Sequence, residues 1–471
     1  MKSRCFFVII SVLFFLASSF CLSAEEELPE KGFRITKDTV LNVGVAVEPE
    51  YESNITKASK DTVVTDTREN DGKAQHTDIV YDMILHYSPS LRIKLDDSKK
   101  TIGFSMLFDY NHYLGLDKSE TSKQLSELEI KSEFLGEFNK DGFVIFDFKN
   151  SLLRTAVSDS QDLPGKHKNL FDAFGVGLAF KNAEDTLLGK IKLGIDVNYL
   201  EQSQKDSAYK DYNYFSPSTG FFGRWKFLPK TMAFFSLSAR YRDYYESRIR
   251  NASRSIPINT FVGVMGQVSQ YFSSKISIGY SVNIGHVVKH DYNANAEMVF
   301  KYNDLGAVLG YFRNMQPSAY YSYISSHELY FKFKQKFAKY FLAAVSLKYY
   351  YIAFGKNMLY DELDEYERLS DGSYQMVVED ETAETVYTTV LPKGNRKDHL
   401  LFFIPSFSYA ILSWLGLRLS YTLEYRDTGY FKKSITQYTH NTDSGKNFTR
   451  TTDTHYDYMD HRVMLSIVLD Y

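Results

Sequence analysis

The chain predicts an all-β fold: a closed transmembrane antiparallel β-barrel of about 18 strands, with short periplasmic turns and long extracellular loops. Three observations carry that expectation. Aromatic residues make up 16% of the 471 residues, yet mean hydropathy is −0.32 and the net charge is −3. A wall that is apolar on one face and wet on the other gives this combination. Period-two alternation also runs over segments of roughly 9 to 11 residues or more, the length a tilted strand needs to cross hydrocarbon. A soluble sandwich, the competing class, usually works with strands of about five or six residues. Finally, the connections alternate between very short turns and much longer polar stretches.

The amino terminus reads as a leader. Lys2 and Arg4 precede an apolar run from Phe6 to Leu16, and Ala17-Ser18-Ser19 and Ser23-Ala24 supply small residues for cleavage. A secretory signal peptide over residues 1–24 is expected, with the cut after Ala24. Phe20 before Cys21 argues against a lipoprotein signal, and both cysteines, Cys5 and Cys21, fall inside the leader. The expected mature chain therefore has no disulfide framework and no cysteine metal site. No run of 18 apolar residues follows, so helical spans are excluded. Residues 25–38 are a polar, loosely ordered periplasmic lead-in, and residues 39–471 form the barrel.

Strand one is expected over Val40 to Tyr51, with Leu41, Val43, Val45 and Val47 on one face. A polar loop, Ile55 to Gln75, separates it from strand two, about Asp78 to Leu95, which is expected to bend at Pro89. After the short connection Asp96 to Lys100, strand three sets Ile102, Phe104, Met106, Phe108 and Tyr110 against Gly103, Ser105, Asp109 and Asn111. The pattern then repeats. Further short turns are expected at Asn139 to Gly142, Lys181 to Thr186, Leu228 to Lys230, Ser273 to Lys275, Asn303-Asp304, Ala338-Lys339 and Leu412 to Trp414.

The closing segment, Asp460 to Tyr471, places Val463, Leu465, Ile467, Leu469 and Tyr471 on one face of a strand. Leu469 and the terminal aromatic Tyr471 resemble the signal read by the barrel assembly machinery of Gram-negative bacteria. A free sheet edge cannot be hydrogen-bonded in hydrocarbon, so this strand must close on strand one. Such a barrel would sit in the bacterial outer membrane, with its lipid and lipopolysaccharide as surroundings.

Parity assigns a lumen face. It includes Asp109, Asn111, Glu127, Glu129, Lys131 and Glu133, then Asp147, Lys149, Lys190, Lys192, Asp196 and Asn198. Further round come Arg240, Arg242, Glu328, Lys332, Lys334, Lys336, Arg418, Glu424 and Arg426. The signs are mixed, so no one-sign funnel is expected and many of these charges should pair across strands. Leu400, Phe402 and Ile404 also face inward. Tyr110, Tyr113, Tyr241, Tyr244, Tyr245, Tyr349 to Tyr351, Tyr421 and Tyr425 stand near the long loops and read as an outer aromatic girdle, with carbohydrate stacking as the alternative for those of opposite parity, such as Tyr244 and Tyr350.

The longest loop, Gly355 to Lys397, is acidic, and Gln375 to Val378 with Thr385 to Val390 can pair as a small hairpin within it. It is either a constriction over the mouth, gating the pore, or an exposed solvated loop. Chemistry-bearing motifs are weak. His455, Asp457, Asp460 and His461 do not match a zinc spacing, and Asp109 with His112 lacks a second acidic pair of the kind outer-membrane proteases use. No P-loop, G-x-S-x-G or H-E-x-x-H is present. No catalytic residue, cofactor or metal site is expected, and no basic run points to nucleic acid.

Tyr51-Glu52-Ser53-Asn54-Ile55 resembles the Y-D-S-N-I/V segment of the β-barrel porin 2 family, with Glu52 in place of the usual Asp. The hairpin Thr219 to Thr231, ending in Pro229-Lys230-Thr231, is similar to that family's turn, and the closing strand is similar too. The resemblance implies an outer-membrane barrel. Some members are encoded with exopolysaccharide export systems, which implies a periplasmic polysaccharide export protein as partner. A porin-like channel is the expected function, with the resemblance implying an exported polysaccharide as its solute; the alternative is a structural or adhesive barrel with a filled lumen.

Overall fold

The computed structural model describes residues 33–54, 63–66, 74–76, 81–115, 127–158, 166–200, 213–245, 254–285, 288–316, 323–337, 340–355, 366–368, 374–380, 385–391, 396–412, 414–428, 431–439, 447–455 and 457–470. The expected leader, and Tyr471 of the expected assembly signal, lie outside these residues.

One antiparallel sheet dominates. Its strands are β1 (Thr39–Glu52), β2 (Asp82–Asp96), β3 (Lys100–Tyr113), β4 (Glu127–Phe138), β5 (Val144–Ser158) and β6 (Lys166–Lys181). They are followed by β7 (Leu187–Leu200), β8 (Tyr214–Leu228), β9 (Thr231–Arg240, carried on by Arg242–Asp243), β10 (Arg254–Gln267), β11 (Phe272–Ile284) and β12 (Lys289–Tyr302). The last six are β13 (Leu305–Gln316), β14 (Ile324–Phe337), β15 (Phe341–Phe354), β16 (Lys397–Leu412), β17 (Leu415–Thr428) and β18 (Tyr458–Asp470). Each pairs with its neighbours in sequence, and β18 pairs with β1 from Gly44↔Asp470 to Glu52↔Arg462. The result is a closed barrel of eighteen strands.

Alternation decides which face is which. On β18, Met459, Val463, Leu465, Ile467 and Leu469 are each at least 40% exposed, while Tyr458, Asp460 and Ser466 between them are buried. Ile276, Ile278, Val262 and Val264 continue the apolar outer surface elsewhere. An exposed apolar band running right round a protein is stable against hydrocarbon and not against water.

The short turns lie at the end that also holds the start of β1 and the end of β18. Asn139, Asp185 and Asn303 take positive φ there, which the short Asx side chains tolerate. Asp185 also gathers Arg224 and Lys226 at 2.7 Å each, and the Lys226 hydrogen bond comes first in holding its carboxyl below the usual range.

Several expectations are revised. The turn between β10 and β11 falls at residues 268–271, with the Ser269 hydroxyl accepting from the amides of Tyr271 and Phe272. Ser273 and Lys275 lie within β11, where their polar side chains share the inward face and so do not mark a turn. Pro89 does not shift the ladder: Tyr87↔Tyr110 and Ser90↔Leu107 keep one register around it. Pro49 and Pro405 leave the same one-sided gap against β18 and β17. In the lead-in, Phe33–Thr36 forms a strand on β1. Because β2 occupies the other edge of β1 through Thr39, this segment must extend the row of β18, which reaches β1 no lower than Gly44.

A second, seven-stranded sheet stands at the long-loop end. The expected loop between β1 and β2 contributes Val63–Asp66 and Ala74–His76 to it. The expected hairpin in the longest loop is present as Tyr374–Asp380 paired with Thr385–Leu391. The latter pairs Phe431–Thr439, which pairs Asn447–His455, which pairs Val63–Asp66. The order repeats that of β16, β17, β18 and β1, so these barrel ladders continue beyond the barrel on the side of the seam.

The seam itself is clasped by side chains. Asp460, fully buried, accepts hydrogen bonds from the Ser53 hydroxyl at 3.2 Å and the Asn54 amide at 3.0 Å. The Ser53 hydroxyl in turn accepts from the His461 amide at 2.7 Å, and the Ser53 amide donates to the His461 carbonyl at 2.9 Å. Asp460→Ala orphans a buried amide and removes a carboxylate beside Arg462, a loss of about 3 kcal/mol. The temperature at which the folded gel band converts to the unfolded one should drop clearly for Asp460→Ala, less for Asp460→Asn, and little for Met459→Ala on the outer face.

Candidate functional site: the barrel lumen

Ladder registers assign the inward face residue by residue, because directly paired residues share a face. Asp109, Asn111, Glu129 and Lys131 share a face with the buried Tyr113. Arg240 and Arg242 share one with the buried Phe234 and Tyr244, and Lys332 and Lys334 with Glu328. Arg418, Glu424 and Arg426 alternate with the outward Leu419 and Tyr425. Glu127 pairs with Asn111 through its backbone, and its side chain lies outside the described residues. Asp109 and His112 point to opposite faces, and the partners of Asp109 are Ser88 at 2.8 Å and His86 at 3.6 Å.

The inward face divides by depth. Toward the long-loop end it is packed. Asp398 is fully buried and bonded to Arg396 at 2.8 Å and to Arg426 through both Nε and Nη2. Glu424 accepts from the Tyr458 hydroxyl at 2.5 Å and from Arg462 at 2.8 Å. Arg240 pairs with Asp196 at 3.0 Å. Tyr350 donates to Glu328 at 2.9 Å and meets Phe402 edge-on at 5.9 Å. Ile84, Ile352, Phe354 and Leu400 are buried among these groups' neighbours on the same face.

Toward the short turns the inward face is open and basic. Arg92 and Lys94 stand on β2, Lys149 on β5, Lys190 and Lys192 on β7, and Arg224 and Lys226 on β8. Lys275, Lys301, Lys332, Lys334, Lys336 and Lys348 follow on β11, β12, β14 and β15, and Arg418 on β17. Acids are fewer: Glu133 holds Lys149 at 3.0 Å, Asp147 holds Lys190 at 2.6 Å, and Glu297 accepts from Tyr330 at 2.5 Å. The Lys149 and Lys94 side chains keep 49% and 38% of their exposure, against 2% for Arg426. Cross-strand pairing is thus present as expected. The expectation of evenly mixed signs is revised, since neighbouring strands run in opposite directions and bring together ends far apart in sequence.

The outer aromatic girdle contains a repeated unit that sequence reasoning missed. Tyr280 bonds His290 at 2.5 Å, Tyr311 bonds His327 at 2.9 Å, Tyr349 bonds His399 at 2.6 Å and Tyr421 bonds His461 at 2.8 Å. In each case the His sits opposite the residue two beyond the Tyr: Val282, Arg313, Tyr351 and Leu423. The signal was legible as a Tyr near the outer end of one strand and a His near the start of the next. Tyr113, Tyr244 and Tyr350, read as girdle residues, are buried. Of the residues weighed for metal binding, Asp460 and His461 serve the seam, and the side chain of His455 lies outside the described residues.

No family model and no curated protein matches the chain. Among solved structures it is similar to the outer membrane protein OpdK of Pseudomonas aeruginosa with vanillate, at 8% identity and TM-score 0.42, covering 92% of this chain and 99% of that one. It is also similar to the FrpB iron transporter of Neisseria meningitidis at 9% identity and TM-score 0.40, over 91% and 81% of the two chains. The siderophore receptor PirA of Pseudomonas aeruginosa aligns at 6% identity and TM-score 0.41, over 92% and 80%. Likenesses this distant carry nothing about solute or partner.

The buried pairings give a direct expectation. Asp398→Asn leaves Arg396 and Arg426 buried without their shared carboxylate, which costs about 3–5 kcal/mol. The melting transition followed by strand circular dichroism should fall accordingly, whereas Lys149→Gln, on a half-exposed pair, should change it by less than about 1 kcal/mol.

Proposed function

We propose that the chain is an outer-membrane channel of a Gram-negative bacterium, and that an exported polysaccharide is the solute it passes. The observation that carries this reading is a closed, apolar-skinned cylinder whose inward face is charged and open at the short-turn end. Conduction through such a lumen needs no covalent step: polar walls replace part of the solute's hydration, and the packed outer half sets the narrowest passage. The polysaccharide rests on the short motifs shared with the β-barrel porin 2 family, as does a periplasmic polysaccharide export protein as the partner that delivers it. The barrel assembly machinery reading Leu469 and Tyr471, and lipopolysaccharide around the Tyr–His girdle, complete the set of partners.

A second reading is supported by the burial of Ile84, Ile352, Phe354 and Leu400 on the inward face. It is a structural or adhesive barrel whose lumen is filled at the outer end. Single-channel recording in planar bilayers separates the two. A channel gives discrete open steps, and Tyr350→Ala with Phe402→Ala enlarges them by about half or more, because two rings leave the narrow zone. A barrel silent in both forms, with a heat-modifiable folded band, retires the channel.

A further inference from the structure

We infer that the short-turn half of the lumen is a binding track for a polyanionic chain, such as a uronate-bearing or phosphorylated glycan; this deepens the channel reading and rests on it. Three observations meet there. The first is uncompensated charge. Lys192, Lys334, Lys336 and Arg418 point inward and form no ion pair among the described residues, while Glu133, Asp147 and Asp96 are held by Lys149, Lys190 and Lys94, and the inward Glu137 and Glu297 are outnumbered by the remaining bases. A low-dielectric cylinder lined by one sign focuses its field along the axis and concentrates the opposite charge.

The second is room around the cation. Lys192 on β7 is flanked on one side by Gly177 and on the other by Gly220, its direct partners on β6 and β8. Over Gly177 the Asp147 carboxylate, held by Lys190, reaches in from β5, while Gly220 leaves the other side of Lys192 clear, so a ligand can approach the wall from the β8 side.

The third is a ring platform. Phe222, half-buried on the inward face, lies beside the buried Phe234, centroids 6.3 Å apart and planes within 28°, so Phe222 is the ring a ligand can reach. Phe222 is paired with Lys190, Phe234 with Arg224, and the Lys275 ammonium sits 5.5 Å from the Phe234 centroid. Ring faces beside cations suit sugar rings that carry acids: the C–H face of the sugar stacks while its carboxylate or phosphate meets lysine or arginine. Toward the other end this surplus disappears, since Asp398, Glu424 and Asp460 hold Arg396, Arg426 and Arg462. A polyanion would therefore be captured at the short-turn mouth and released beyond it, which is the entry-without-trapping that conduction requires.

The full chain, purified in detergent from outer membranes, is titrated by calorimetry with tri-galacturonate and with neutral maltotriose. The expected result is at least about tenfold tighter binding of the trianion, weakening about tenfold or more between 50 and 500 mM salt as screening sets in. Lys192→Glu with Lys334→Glu should lower that affinity at least about tenfold, while Lys289→Glu with Lys397→Glu at the other end should leave it within about twofold. Equal affinity for the two trisaccharides, binding of neither, or an equal loss in the second double variant overturns the inference. Conductance of the same preparation is read separately: a silent barrel that binds the trianion retires the channel alone, and a conducting barrel that does not bind it retires the track alone.

Discussion

The fold depends on one constraint: inside hydrocarbon every backbone N–H and C=O must find a partner within the protein. For a sheet this means that the first and last strands must pair, and β1 with β18 does so. Closure then fixes parity. Once each strand has two neighbours, every side chain must point either to lipid or to the lumen, and the period-two pattern is forced on all eighteen strands alike. The Ser53, Asn54, Asp460 and His461 clasp sits where this closure is completed. It also gives a physical meaning to the Ser-Asn of the short motif after β1, whose hydroxyl and amide bridge chain ends some 400 residues apart. Phe33–Thr36 serves the same need below, covering the stretch of β1 that β18 does not reach.

What depends on alternation was legible in the sequence, and what depends on depth was not. The expected strand one, Val40 to Tyr51, differs from Thr39–Glu52 by a residue at each end, and the Asn139 to Gly142 turn sits where Asp-Gly placed it. Period two is a local property, so a single strand reports its own faces. The turn near Ser273 was misplaced because serine and lysine mark a turn in water but are equally at home on a wet inward face. Pro89 was expected to bend its strand, yet a barrel strand can lose a bond on one side while the ladder on the other side, here Val45↔Pro89, holds the register.

Charge zoning was hidden for a different reason. Along the chain, inner and outer ends alternate, so Lys190 and Lys192 are followed closely by Asp196, and Lys332 and Lys334 come just after Glu328. Read linearly, the signs mix. Folded, acids matched by arginines gather toward the long-loop mouth and the lysines in excess toward the short-turn mouth, because antiparallel neighbours reverse direction at each turn. The same reversal makes the Tyr–His units a girdle: residues on either side of an outer connection, short or long, become diagonal neighbours on adjacent strands.

Asymmetry around the barrel follows from the seam as well. Three loops that emerge on or beside the seam strands continue their parent ladders outward, so their backbone hydrogen bonds are satisfied by each other where solvated loops would have relied on water. The longest loop, rich in carboxylates, is held in this way by its neighbours in the sheet order rather than standing alone. A sheet that extends a wall on one side leaves the opposite rim to shorter connections, such as residues 285–288 and 317–323. The two mouths thus differ in kind: one is ringed by tight turns and open to a basic interior, and the other is flanked by a raised sheet over a packed polar core. On the proposed channel reading, ends this different would give a charged chain a direction, since the electrostatic attraction at one mouth is absent at the other.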